Sequence, residues 1–147
     1  LNPGGVRIDF LPKGDIRIVD ILRLDLFGND MVMFNLTGHE IKALMISAFP
    51  IDEKRPIYPS GLRTILNIDG DGNLVDLELI TEKGEPLDMN KTYTVSMNSY
   101  MASVYSFEHK DKGQSLYLTT ANNMIDYLKK LGTVKSYRGE NRVAMKN

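Results

Sequence analysis

Asn2 and Arg7 flank Pro3, Gly4, Gly5 and Val6, so an amide and a guanidinium bracket two adjacent glycines. An amide carries donors and an acceptor, and a guanidinium is a planar fork of donors. Gly4 and Gly5 can take backbone angles closed to other residues and let a ligand or another loop come close. The chemistry that fits is recognition of a polar ligand at the edge of a sheet. The same residues also fit an ordinary glycine-rich turn, and the pattern alone leaves both readings open.

The other reactive side chains are few. There is no cysteine, which excludes a disulfide framework, a thiolate metal site and a cysteine nucleophile. His39 and His109 are far apart, so a metal centre built mainly from histidine would have to come from elsewhere. Asp69, Asp71 and Asn73 occupy alternate positions, as in a calcium loop. That loop also demands glycine at its sixth position and glutamate at its twelfth, where this chain has Leu74 and Ile80. An acidic-glycine turn accounts for them without a metal. No catalytic residue and no metal ligand set is identified.

Bulk properties bound the partners. With 147 residues, 42% of them apolar and 25% charged, the chain is expected to form one domain over residues 1–147 with a real core. A net charge of −1 and scattered Lys and Arg predict no nucleic-acid partner. No apolar run reaches the roughly 20 residues that span a bilayer, and no signal peptide is evident. The chain starts at Leu1, inside its own most distinctive motif. The expectation is a fragment of a longer protein whose remaining part lies on the N-terminal side.

The elements that must position these groups follow from periodicity. Val6, Ile8 and Phe10 alternate with Arg7 and Asp9, which predicts a strand. Pro12–Asp15 is turn chemistry, and residues 16–26 read as a short strand and then a short helix. Phe27 sits immediately before Gly28 in a turn, where its ring could point out of the domain. A strand over 31–36 leads to Thr37-Gly38-His39-Glu40, a capping box. Behind it Ile41, Leu44, Met45 and Ala48 form one stripe of a helix expected to stop before Pro50, with His39 facing solvent. Strands over 62–68 and 74–81 around Asp69–Gly72 read as a β-hairpin. A strand over 93–97 ends at Asn98-Ser99-Tyr100-Met101-Ala102, and residues 108–114 form a polar loop. Thr119 or Thr120 caps a helix carrying Met124, Ile125, Leu128 and Leu131, which Gly132 ends. A last strand covers 141–145. The class is mixed α/β (α+β): a largely antiparallel sheet in hairpins with two main helices.

In order along the chain, several pieces fit one family. Asn2-Pro3-Gly4-Gly5-Val6-Arg7 resembles the N-x-G-G-I-R segment that opens the C-terminal domain of the 5′-nucleotidase / UDP-sugar hydrolase family. Gly14-Asp15-Ile16 with Asp20-Ile21-Leu22 resembles its G-x-I…D-V-L stretch, and Leu26-Phe27-Gly28-Asn29 its P-F-G-N. Leu36-Thr37-Gly38, Ser60-Gly61-Leu62-Arg63 and Leu87-Asp88 to Tyr93-Thr94-Val95 resemble its L-T-G, S-G-L-R and L-D-P-x-K-T-Y-T-V.

The resemblance implies a domain that binds the base and ribose of a nucleotide. It implies a partner N-terminal metallophosphoesterase domain, absent from this chain, that carries two divalent metal ions and a catalytic His-Asp pair; no cofactor belongs to this chain. It implies that Phe27 and Tyr100 sandwich the base, that Asn2 and Arg7 hydrogen-bond the nucleoside beside Gly4 and Gly5, and that the protein is exported to the periplasm, cell wall or cell surface. Flat apolar base faces suit stacking between rings. Without the resemblance, Phe27 and Tyr100 read as core aromatics. One stretch departs from the family: its G-G-D-G-[FY] is replaced by Ser103-Val104-Tyr105-Ser106-Phe107. Tyr105 or Phe107 could then supply the second ring. The departure also admits a non-catalytic module that keeps the fold without nucleotide binding. A related phosphoesterase acting on a cyclic nucleotide or UDP-sugar is the remaining alternative.

Overall fold

The computed structural model describes residues 1–8, 10–11, 13–137 and 139–146. Among these residues four α-helices, α1 (Ile18–Leu24), α2 (Gly38–Ile51), α3 (Ser99–Val104) and α4 (Thr120–Leu131), are interspersed with six strands. The strands are β1 (Asp30–Thr37), β2 (Leu62–Ile68), β3 (Leu74–Thr81), β4 (Thr92–Asn98), β5 (Gln114–Thr119) and β6 (Val143–Lys146). They form two three-stranded sheets, ordered β4-β1-β5 and β3-β2-β6. Pairing is antiparallel except between β2 and β6. The mixed class and the hairpin hold, with the sheet divided in two.

The core joins the two sheets through α2. Phe34 and Leu36 from β1, Leu66 from β2, and Leu77 and Leu79 from β3 are buried with Ile41, Leu44, Ala48 and Phe49 of α2. The capping box at the start of α2 is formed: Thr37 N–H donates to Glu40 Oε2 at 2.7 Å, and Glu40 N–H to Thr37 Oγ1 at 3.3 Å. His39 is exposed, as its place in the first turn requires. Asp69 accepts from the backbone N–H groups of Asp71 and Asn73, so its carboxylate is engaged inside its own hairpin turn.

Several expectations are corrected. The strand over Val6, Ile8 and Phe10 is absent among the described residues; Asp9 lies outside them. Pro3–Gly5 instead forms a 3₁₀ turn, and among the described residues no strand pairs with the segment after it. Pro12 of the next turn also lies outside the described residues, and the short strand before α1 is not formed. Helix α2 runs through Pro50 to Ile51. A proline in the last turn removes a single intrahelical bond, at a point where the helix is ending anyway. Strand β5 falls where the sequence pattern shows only a polar loop and unassigned residues.

Candidate functional site

The start of β1 and the end of β4 lie side by side, since Met31 pairs with Asn98. The segment before β1 carries Phe27, and α3, which leaves β4, carries Tyr100. Both rings face solvent: Phe27 is 56% exposed and Tyr100 40%. Ser99 ties the two segments together. Its hydroxyl accepts Asp30 N–H at 3.2 Å and donates to Asn29 Oδ1 at 3.2 Å. Thr120, at the start of α4, holds the same segment from the other side. Its N–H donates to Asn29 O at 2.8 Å and its hydroxyl to the Asp25 carboxylate.

Helix α1 sets up the Phe27 side. Asp20 accepts Arg17 N–H at 2.9 Å and so closes the helix start. At its other end the Leu24 carbonyl accepts Arg7 N–H at 3.1 Å. This brings the Arg7 guanidinium over the Phe27 ring, 5.4 Å from the centroid, in cation–π contact. Gly28 follows with φ +62, a left-handed turn that a side chain would strain, immediately after the displayed ring.

Tyr100 is held by a buried polar group of residues distant in sequence. Asn98 caps α3 by accepting Met101 N–H at 2.8 Å, and its Nδ2 donates to Asn2 Oδ1 at 3.1 Å. Asn2 is only 3% exposed, with its side chain turned into the domain. The backbone pairing of Leu1 with Tyr58 pins this N-terminal segment, with Tyr58 N–H donating to Leu1 O at 2.8 Å. Neither Gly4 nor Gly5 has a positive φ, so left-handed angles are not the reason for the glycine pair. The reason at Gly5 is space: a Cβ there would stand 2.7 Å from Asn2 Oδ1.

Tyr105 meets Tyr100 edge to face, with centroids 6.1 Å apart and planes at 84°. Its hydroxyl donates to the Asp52 carboxylate. Burial, and then that hydrogen bond and the carboxylate's charge, push the Tyr105 phenol far above the ordinary tyrosine range. The ring is 3% exposed and unavailable as a second stacking face. Phe107, the other substitute considered, lies against His109 with centroids 4.4 Å apart.

The structure thus brings Arg7 and Phe27 into contact and ties their segment to the helix of Tyr100, while Asn2, Gly4 and Gly5 sit beneath. Sequence reasoning missed Asp52, Asn98 and Ser99 as its supports. The Asn98-Ser99 pair at the end of a strand is a helix-cap signal that could have marked two of them; Asp52 leaves no local trace. Two clefts open elsewhere. One of about 1180 Å³ lies between α1 and α4 and is lined by Ile16, Ile18, Ile21, Ile125 and Leu128. The other, about 420 Å³, is lined by Arg63, Glu82, Glu140 and Arg142 among others. Neither takes in Arg7, Phe27 or Tyr100. Among the described residues no group of three or more His, Cys, Asp or Glu side chains could hold a metal ion. No helix among them is long and apolar enough to cross a membrane.

Residues 1–106 match the family described as "5′-nucleotidase, C-terminal domain". The chain is 29% identical over 160 residues to the NAD 5′-nucleotidase of Haemophilus influenzae, covering 95% of this chain and 26% of that protein. It is 30% identical over 103 residues to Protein UshA of Escherichia coli, covering 70% of this chain and 18% of that one. The crystal structure of a 5′-nucleotidase precursor from Thermus thermophilus superposes with a TM-score of 0.78 at 31% identity, over 99% of this chain and 31% of its own. The chain therefore spans about a quarter or less of the curated relatives named here.

Proposed function

The chain belongs to the 5′-nucleotidase C-terminal domain family, and on that footing we propose that it is one domain whose task is to recognise the nucleoside part of a nucleotide for a phosphoesterase. The observation that carries this reading is the exposure of Phe27 and Tyr100 on two segments tied through Ser99. Large rings left open to water on braced segments offer flat apolar faces for a base, at roughly 1–3 kcal/mol per stacked contact. Arg7 adds directional donors beside Phe27.

Asn2 takes a different part from the one its motif suggests. Its burial and its bond to Asn98 fit a frame for α3 rather than a direct ligand contact. Hydrolysis of a phosphate ester would fall to a metallophosphoesterase domain on the N-terminal side, where two divalent ions would activate water. This chain's residues bind and orient. By the same reasoning the chain alone is catalytically silent; export of the full protein to the periplasm, cell wall or cell surface rests on the family resemblance alone.

Titration of the chain with AMP and adenosine, followed by NMR chemical shifts, tests the proposal. Shifts are expected at Arg7, Phe27 and Tyr100, weakened in Phe27→Ala. A second reading, a module that keeps the fold without binding nucleotides, draws on residues 103–107, where Tyr105 packs inward. Absence of shifts with either ligand at millimolar concentration would favour it.

A further inference from the structure

We propose that Asp52 and Tyr105 are positioning residues that fix the plane of the Tyr100 ring, a role that rests on the nucleoside reading above. The two lie 53 positions apart in sequence and meet in the interior through the Tyr105 hydroxyl and the Asp52 carboxylate. Tyr105 is also the residue that ends α3, with its N–H on Met101 O at 3.2 Å. Its ring meets Tyr100 in a T-shaped contact at 6.1 Å and 84°, within the favoured range.

The backbone of the anchor is tied on both sides. Asp52 N–H donates to Ala48 O at 2.9 Å, and Asp52 O accepts Arg55 N–H at 3.0 Å and Arg55 Nε at 3.2 Å. Lys54 N–H donates to Phe49 O at 2.9 Å, the long bond of a Schellman turn. Glu53 and Lys54 both take left-handed angles, φ 57 and 59, without being glycine. Such backbone persists only where its surroundings over-determine it. Here it follows directly on the residue whose carboxylate faces the core. A buried carboxylate is costly unless it is hydrogen-bonded, so the phenol and the carboxylate lock each other. The chain from Asp52 through Tyr105 to Tyr100 thus presets a ring that would otherwise have to be ordered when a flat ligand arrives, and presetting it lowers the cost of binding.

The test is an AMP titration of the chain by NMR, read together with the Tyr100 ring resonances, which the neighbouring Tyr105 ring shifts. Asp52→Ala and Tyr105→Phe are expected to move those resonances and to weaken AMP binding by about tenfold, the scale of one lost hydrogen bond to a charged group. Asp52→Asn can still accept the phenol and is expected to recover most of what Asp52→Ala loses. Each variant is also melted, so that if one fails to fold the other is read. Unmoved Tyr100 resonances and AMP affinity in the folded variants, with only the melting temperature lowered, would overturn the proposal. If Phe27→Ala weakens AMP binding and the Asp52 and Tyr105 variants do not, the positioning role falls and the nucleoside site stands. If the unsubstituted chain does not bind AMP, both fall.

Discussion

Phe27 and Tyr100 face solvent at the same end of the β4-β1-β5 sheet, but they are held in opposite ways. Tyr100 rides on a short helix capped by Asn98 and backed by Asn2, and its ring meets Tyr105 in a T-shaped contact. Phe27 sits in a segment fixed through its backbone and through Asp25, Asn29 and Asp30, and its ring touches the Arg7 guanidinium. One ring is preset from inside the domain, the other braced from outside it. The difference decides where stability and affinity are coupled. Substitutions behind Tyr100 should cost folding free energy together with binding, while substitutions at Phe27 should cost only binding.

Asn98→Ala should produce the largest loss. It removes the acceptor for Met101 N–H and the donor for Asn2 Oδ1, both in the interior. A lost cap costs about 1 kcal/mol, and an orphaned buried partner about 1–3 kcal/mol more. Urea denaturation should show a destabilisation of roughly 2–4 kcal/mol. A loss below about 0.5 kcal/mol, the range of ordinary surface changes, would mean that the interior side of the comparison is not what holds α3.

Gly5→Ala should come next. Its Cβ would press on Asn2 Oδ1 at 2.7 Å, the buried atom that accepts from Asn98 Nδ2 and would lose that bond by turning away. Overpacking of this kind costs typically about 1–3 kcal/mol. Gly4→Ala is the control, because its Cβ would meet Asn2 Nδ2 at an ordinary 3.7 Å and should cost only a few tenths of a kcal/mol. Equal melting curves for the two variants would break the link from the glycine pair to Asn2 and so to Tyr100.

This contrast between neighbouring glycines also shows what a sequence can and cannot reveal. Local signals were legible: the Thr37–Glu40 box, the alternation of β3, and the stripe of α4 with Gly132 behind it are each complete within a dozen residues. The segment after Gly5 alternates as a strand should, yet Phe10 is exposed and among the described residues no strand pairs with the segment, so the pattern has no sheet to serve. Strand β5 was hidden by its bulge. Tyr117 takes φ 51 inside it, and the register shifts opposite Asp30 and Val32, which erases the period of two. The parallel β6 pairs with a strand nearly 80 residues earlier. For the site, motifs marked Arg7, Phe27 and Tyr100 but not how they are held. Asn2, Asp52, Asn98 and Tyr105 become neighbours only on folding, and no spacing in one sequence encodes that.

Glu53→Gly should sharpen the comparison from the stabilising side. Glu53 takes a left-handed angle that costs a side-chain residue about 1–2 kcal/mol and glycine almost nothing. The looser unfolded chain offsets part of this, leaving a net gain of roughly 0.5–1 kcal/mol. The exposed pair lost with Arg55, 3.4 Å long, weighs little. A calorimetric melt should therefore shift upward. If the turn relaxes as well as gaining stability, Tyr100 should lose part of its preset orientation and bind AMP more weakly in the more stable protein. A rise in both stability and affinity would show that the strain next to Asp52 has no part in holding the ring.

Phe27→Ala should change stability least and separates the two rings most cleanly. The ring is more than half exposed, so its removal uncovers little core. Its contact with Arg7 is an exposed cation–π pair, worth about 0.5–1 kcal/mol at most. Every hydrogen bond that fixes the segment belongs to Asp25, Asn29, Asp30 or the backbone and survives the substitution. The melting curve should stay within about 0.5 kcal/mol of the parent, while AMP affinity falls by the roughly 1–3 kcal/mol of one stacked contact, about fivefold to more than a hundredfold. A destabilisation of about 2 kcal/mol or more, on the scale of a core truncation, would place the ring in the interior in solution. The division between a ring held from within and a ring displayed from without would then disappear.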